Sequence, residues 1–127
     1  MALKKILLVD DHEAEHFLLK AMVSDYDDRI EVLSAYDGEE GLEILKQEHE
    51  TLDCILLDIN MPRMNGFEFL DSYSEMYPED ASHTIVAMLT SSSQEADRER
   101  AMDYDCVRDF FIKPIDQKNL EILEALI

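Results

Sequence analysis

Basic side chains are scarce in this chain: eleven Lys plus Arg face thirty Asp plus Glu over 127 residues, a formal net charge of −19. Binding nucleic-acid phosphates requires a basic face, and so does adhesion to anionic lipid, so neither is expected as a direct partner. Long apolar runs are also missing. No stretch approaches the roughly 20 residues of a spanning helix. The run after Lys4 and Lys5 stops at Asp10, too soon for a signal-peptide core, and a cytoplasmic protein with no membrane partner is expected. Cysteine is limited to Cys54 and Cys106, without CxxC or ligand spacing, which reads as reduced, buried thiols. Repeats, low-complexity tracts and Gly/Ser linkers are absent. A chain of this length with 46% hydrophobic residues fits one domain, 1–127, built on one sizeable core. The last helical pattern reaches the final residue, so no appended output domain is expected.

What is present is a set of short β-rich runs that end on polar groups. Strands are predicted at 5–9, 31–36, 53–57, 84–89 and 109–112, with helical spacing between them. The apolar stripes are Phe17, Leu18, Ala21 and Met22; Leu42 and Leu45; Phe67, Leu70 and Tyr73; and Leu120, Leu123 and Ile127. The segment 94–104 is very polar, with Ala101 and Met102 its main apolar anchors. Helix starts are expected at Asp11, Asp37, Asn65, one of Ser91 to Ser93, and Asp116. Five strands alternating with five helices imply an α/β fold: a doubly wound parallel sheet with right-handed crossovers.

In such a sheet ligands bind beyond the carboxyl ends of the strands. The residues at those ends are Asp10 with Asp11, Tyr36, Asp58, Thr90 and Lys113. Clustered carboxylates repel one another, and a hard divalent cation such as Mg²⁺ relieves them. Beside that cation, Asp58 is placed to attack phosphorus. Lys113 and Thr90 are placed to stabilise the phosphoryl oxygens, giving an aspartyl phosphate.

Four segments in register carry a resemblance: Leu7-Leu8-Val9-Asp10-Asp11, Leu56 through Gly66, Met88-Leu89-Thr90-Ser91, and Phe110-Phe111-Ile112-Lys113-Pro114. Together they make the chain similar, over essentially its whole length, to the receiver domain of two-component response regulators. The resemblance implies a flavodoxin-like sheet of order 2-1-3-4-5 and Mg²⁺ as cofactor. It implies Asp58 as phosphoacceptor and metal ligand, Asp11 as direct ligand, Asp10 acting mostly through water and Asn60 through its carbonyl. Thr90 and Phe110 are the implied switch pair, Lys113 the phosphate-binding lysine, and Lys113-Pro114 a cis peptide. Phe110 lacks the hydroxyl of the Tyr common there, so its switching would work by packing alone. Asn60 and Ser92 resemble positions that tune phosphate lifetime, and their small polar side chains suggest a hydrolysable phosphate. The implied donor is a sensor histidine kinase or histidine phosphotransfer protein, and the implied output is a surface change read by an unknown downstream protein. The chain is then a signalling phosphoacceptor rather than an enzyme in the ordinary sense. Cys106 departs from the glycine frequent before the fifth strand, which suggests a different exit from the fourth helix.

Other readings compete. A degenerate receiver would use the same fold as a phosphorylation-independent binding module. A haloacid-dehalogenase-type phosphatase needs a second Asp two residues after its nucleophile, where this chain has Asn60 after Asp58 and His12 after Asp10. His12-Glu13-Ala14-Glu15-His16 spells the H-E-x-x-H of zinc peptidases, but it starts a helix directly behind Asp10-Asp11 and no third ligand follows. It reads as a surface helix, and His49 and His83 as isolated surface or loop residues. Arg63 reads as a surface charge in the loop leaving Asp58.

Overall fold

The computed structural model describes residues 3–78, 84–91 and 94–127. The elements run β1 (Lys5–Val9), α1 (Glu13–Tyr26), β2 (Glu31–Ala35), α2 (Gly38–Glu48), β3 (Cys54–Asp58), α3 (Gly66–Met76), β4 (Ile85–Thr90), α4 (Glu95–Met102), β5 (Val107–Ile112) and α5 (Gln117–Leu126). The strands form one parallel sheet in the order β2-β1-β3-β4-β5, as expected for a doubly wound fold.

Alternation along the strands divides the core into two layers. Leu7, Val9, Ile55, Leu57, Val86 and Met88 pack with Leu45 of α2 and with Phe67, Leu70 and Tyr73 of α3. On the other face Ile6, Leu8, Leu56, Ala87 and Leu89 pack with Leu19 and Val23 of α1 and Leu120 and Leu123 of α5. Every residue of β3 and β4 is buried, so these strands read as continuous apolar runs rather than alternating ones. Full burial of each large aliphatic side chain is worth about 1.5–3 kcal/mol, which makes this central pair the anchor of the sheet.

The register determines what reaches the sheet's carboxyl edge. Val9 pairs with Leu57, and Leu57 with Met88, so Asp10 and Asp58 leave adjacent strands at the same level. Three helix starts follow the expected chemistry. Asp37 accepts from the Glu40 N–H, Asn65 forms a capping box with Glu68, and Asp116 forms one with Asn119. Two differ. His12, not Asp11, precedes α1, without a side-chain cap, and Gln94 precedes α4 in the same uncapped way. Ser92, Ser93 and His83 lie outside the described residues; Ser91 does not cap α4.

The α1 stripe falls on other residues than expected. Phe17 is 74% and Leu18 54% exposed, whereas His16, Leu19 and Val23 face the sheet. Apolar residues crowd that helix, and spacing alone did not choose among its faces. On α4, Ala101 is buried but Met102 is exposed, leaving Ala101 as the anchor. β5 begins at Val107, two residues earlier than expected, because an irregularity opposite Val86 and Ala87 skips Arg108. β2 stops at Ala35, just before Tyr36, while β3 and β4 extend through Asp58 and Thr90. The exit of α4 needs no left-handed residue: Asp103 is right-handed, and Arg63 is the one described non-glycine with positive φ, 67°. Cys54 and Cys106 are both buried free thiols, and burial pushes the Cys106 thiol up to about 11. His49 is also buried, its ring stacked on Tyr77 at 3.7 Å, rather than a surface residue. Among the described residues no helix is long and apolar enough to cross a membrane.

Candidate functional site

The carboxyl ends of β1, β3 and β5 bring four charged groups into one pocket. Asp10, fully buried, accepts a 2.6 Å hydrogen bond on Oδ2 from Lys113 Nζ. Its Oδ1 accepts the His12 backbone N–H at 2.9 Å and lies 3.1 Å from His12 Nδ1. Lys113 Nζ also stands 3.4 Å from Asp58 Oδ1. Both oxygens of Asp10 are therefore engaged, and the lysine bridges two acids.

Backbone contacts hold these ends in place. Asp10 N–H donates to Ala35 O, Ile59 N–H to Leu89 O, and Lys113 N–H to Thr90 O at 2.7 Å, so each strand end is tied to its neighbour. Gly66 opens α3 directly against the β3 exit: a Cβ there would lie 2.7 Å from Asp58 O and 3.0 Å from Ile59 Cα, both backbone atoms. Only glycine permits that approach. Lys113-Pro114 is a cis peptide, as the resemblance implied.

The electrostatics follow from burial. The Asp58 carboxyl, 3% exposed, is pushed up to about 6, first by desolvation and then by the charge of Asp10, with Lys113 pulling the other way. For Lys113 burial alone would lower the pKa, yet the hydrogen bond to Asp10 and the charges of Asp58 and Asp10 raise it, so the ammonium stays charged.

Two carboxylate oxygens in this pocket, Asp11 Oδ1 and Asp58 Oδ2, are buried and accept no hydrogen bond. Such orphaned acceptors are costly unless a cation serves them. One ligand atom each from Asp10, Asp11, His12 and Asp58 lies within 4.8 Å of the others. Hard oxygen donors so arranged fit a small divalent ion such as Mg²⁺, which keeps several waters. The cleft above is lined by His12, Glu15, Asp58, Asn60, Ser91 and Lys113.

The expected site residues thus converge in large part. Asp10, Asp11, Asp58 and Lys113 meet directly, and Asn60 lines the cleft. Thr90 is buried at the end of β4, one residue beyond the Asp58–Leu89 pair. Phe110 is buried beneath the Arg98 guanidinium, 5.9 Å from its ring centroid. Arg63 is exposed and pairs with Asp37 at 2.9 Å, as befits a surface charge.

The histidines are where the expectation fails. His16 is not on the surface: Nε2 lies 2.7 Å from the Asp10 carbonyl, Nδ1 lies 2.9 Å from Ser34 Oγ, and the ring packs 4.2 Å from Tyr36. A carbonyl only accepts, so Nε2 carries the proton and His16 braces the loop that presents Asp10 and Asp11. With both nitrogens occupied it cannot pair with His12 as a zinc ligand. His12 is exposed, but its ring turns toward the acids. Its adjacency to Asp10-Asp11 was the only signal in the sequence.

The comparisons with known proteins agree. Residues 6–124 match the family described as response regulator receiver domain. A probable transcriptional regulator, ycf27, of Porphyridium aerugineum is 35% identical over 123 residues, 95% of this chain but 46% of its own length. Protein PilH of Pseudomonas aeruginosa is 32% identical over 116 residues, 91% of this chain and 90% of its own. The crystal structure of a two component response regulator from Cytophaga hutchinsonii superposes with a TM-score of 0.90 at 26% identity, covering 98% of this chain and 96% of that one. This chain spans about half the length of the ycf27 and CpxR regulators it matches. With acids and lysine gathered at the carboxyl edge of a 2-1-3-4-5 sheet, the chain belongs to the response regulator receiver domain family, signalling proteins of two-component systems rather than classical enzymes.

Proposed function

We propose that Asp58 accepts a phosphoryl group from the phosphohistidine of a sensor histidine kinase or histidine phosphotransfer protein. A carboxylate oxygen of Asp58 bonds to phosphorus as the P–N bond breaks, and the leaving imidazole nitrogen takes up a proton. The observation that carries this reading is the orphaned Asp58 Oδ2, buried in a cleft with Lys113 Nζ 3.4 Å from the other oxygen of the same carboxylate. The side chains of Asp11 and Asp58 and the carbonyl of Asn60 would hold Mg²⁺, and Asp10, whose oxygens are already engaged, would act through water. Bound there, the cation supplies charge neutralisation for the phosphoryl oxygens. Lys113 binds the same oxygens, and Thr90 donates a hydrogen bond to one of them.

Contacts from Thr90 and Lys113 to the phosphoryl group bias a two-state equilibrium of the face formed by α4, β5 and α5. Phe110 transmits the bias by packing, since its ring has no hydroxyl. A downstream protein reads that face, and the 127-residue chain serves as a single cytoplasmic receiver domain. The acidic surface, net charge −19, disfavours nucleic acid as the reader.

The test is a mass measurement after incubation with acetyl phosphate and Mg²⁺. A gain of one phosphate is expected in the wild type and none in Asp58→Asn. No gain in the wild type would favour the phosphorylation-independent binding module instead. Because Mg²⁺ serves the orphaned oxygens, it should raise the melting temperature by mass action, and Asp11→Ala should abolish the rise.

A further inference from the structure

His12 gives this pocket a donor that an all-oxygen Mg²⁺ cradle does not need. Its backbone N–H is bound to Asp10 Oδ1, which positions the residue, and its ring reaches over the acids. Nδ1 lies 3.1 Å from Asp10 Oδ1 and 3.3 Å from Asp11 Oδ1. Adjacent ligands on an ion at about 2.1 Å stand about 3.0 Å apart in octahedral geometry and about 3.4 Å apart in tetrahedral geometry. The 3.3 Å spacing of Nδ1 from Asp11 Oδ1, a proposed direct ligand, therefore matches the edge of a coordination polyhedron. The buried Asp58 Oδ2, which accepts no hydrogen bond, independently points to a ligand in the same place.

We infer that His12 Nδ1 is an additional metal ligand, giving this site a selective affinity for divalent ions that take imidazole nitrogen, such as Mn²⁺, Co²⁺, Ni²⁺ or Zn²⁺. The inference rests on the proposed cradle of Asp11 and Asp58. A carboxylate only accepts, so without an ion Nδ1 carries the proton toward Asp10 Oδ1; binding an ion moves the ring proton to Nε2 and frees the Nδ1 lone pair. Imidazole adds little for Mg²⁺, which prefers oxygen and water, but much for the later first-row ions. The set is distinct from an H-E-x-x-H zinc pair, because His16 has both nitrogens engaged by Asp10 O and Ser34 Oγ. The ring is 65% exposed, so it can turn onto an ion without unpacking the core.

The experiment compares Mg²⁺ and Co²⁺ by calorimetry on the full chain, with the visible Co²⁺ absorption as a second readout. Wild type, His12→Ala, His12→Gln and Asp58→Asn are measured. Co²⁺ affinity should fall about tenfold or more in both His12 variants, while Mg²⁺ affinity changes less than about twofold. The Co²⁺ band should shift as water replaces nitrogen. All oxygen sites favour Co²⁺ over Mg²⁺ to some degree, so the deciding quantity is the difference between the two losses. Equal changes for both ions, or none, would show His12 to be only a hydrogen-bonding neighbour and overturn the inference while leaving the cradle intact. Binding of neither ion to the wild type, or binding indifferent to Asp58→Asn, would overturn the cradle and this inference with it.

Discussion

Replacing Asp58 with Asn should stabilise the metal-free protein. The carboxyl at 58 is 3% exposed, beside the fully buried Asp10, and its pKa is pushed up to about 6 from an ordinary 3.8, chiefly by desolvation. A group whose folded pKa lies above its unfolded value contributes stability that is complete below the unfolded pKa and lost as pH rises through the folded one. At pH 7.5 the ionised side chain therefore costs the apo protein roughly 3 kcal/mol relative to a neutral isostere, from about two units at 1.36 kcal/mol each. For a domain of this size that is roughly 10 °C in melting temperature. The assay is thermal unfolding of wild type and Asp58→Asn in EDTA at pH 4.5 and pH 7.5, then with Mg²⁺ at pH 7.5. Asp58→Asn should melt higher in EDTA at pH 7.5, the gap should shrink at pH 4.5, and Mg²⁺ should raise only the wild type substantially. A variant no more stable than wild type in EDTA at pH 7.5, or a gap independent of pH, would refute the claim that this carboxylate is held charged at a cost.

Lys113→Ala should destabilise the metal-free protein by about 3 kcal/mol in urea, because it leaves the fully buried Asp10 without its ammonium; a loss under about 1 kcal/mol would count against the pair. Gly66→Ala should cost about 1–3 kcal/mol and weaken Mg²⁺ binding, since its Cβ would press on Asp58 O and Ile59 Cα; unchanged Mg²⁺ affinity would show that α3 does not position Asp58. Tyr26 donates a 2.5 Å hydrogen bond to Glu124, which raises its phenol to about 12. That contribution to stability is complete below the ordinary value of 10 and disappears as pH rises through about 12. Ultraviolet titration, with Tyr26→Phe subtracted, should therefore show the midpoint drop toward 10 in Glu124→Gln.

The fold was legible wherever local pattern and burial agree. Short apolar runs ending in Asp10 or Asp58 admit one economical reading, a buried strand whose acid sits at the sheet edge, because there a carboxylate can find an ammonium or a cation that the apolar core does not offer. Asn65-Gly66 and Asp116 announce helix starts through backbone donors only a few residues away. The misreadings share a different cause. Phe17 and Leu18 look like core by spacing, but which face of α1 meets the sheet depends on Leu120, Leu123 and strand residues far along the chain. His16 owes its burial to Ser34 and Tyr36, about twenty residues away, and nothing in H-E-x-x-H reveals those partners.

From the order of residues alone came the alternation of elements, the acids at strand ends, the lysine before a proline, and hence the chemistry on offer. Those features are encoded in steps of one to four residues, where periodicity and capping act. Tertiary structure alone decided that Lys113 reaches Asp10 and Asp58 together, that Asp58 keeps one oxygen without a partner, and that His12 turns toward the carboxylates while His16 holds the Asp10 backbone carbonyl. Each of those facts is a distance between residues brought together by parallel strand register, and such distances exist only once the sheet has formed.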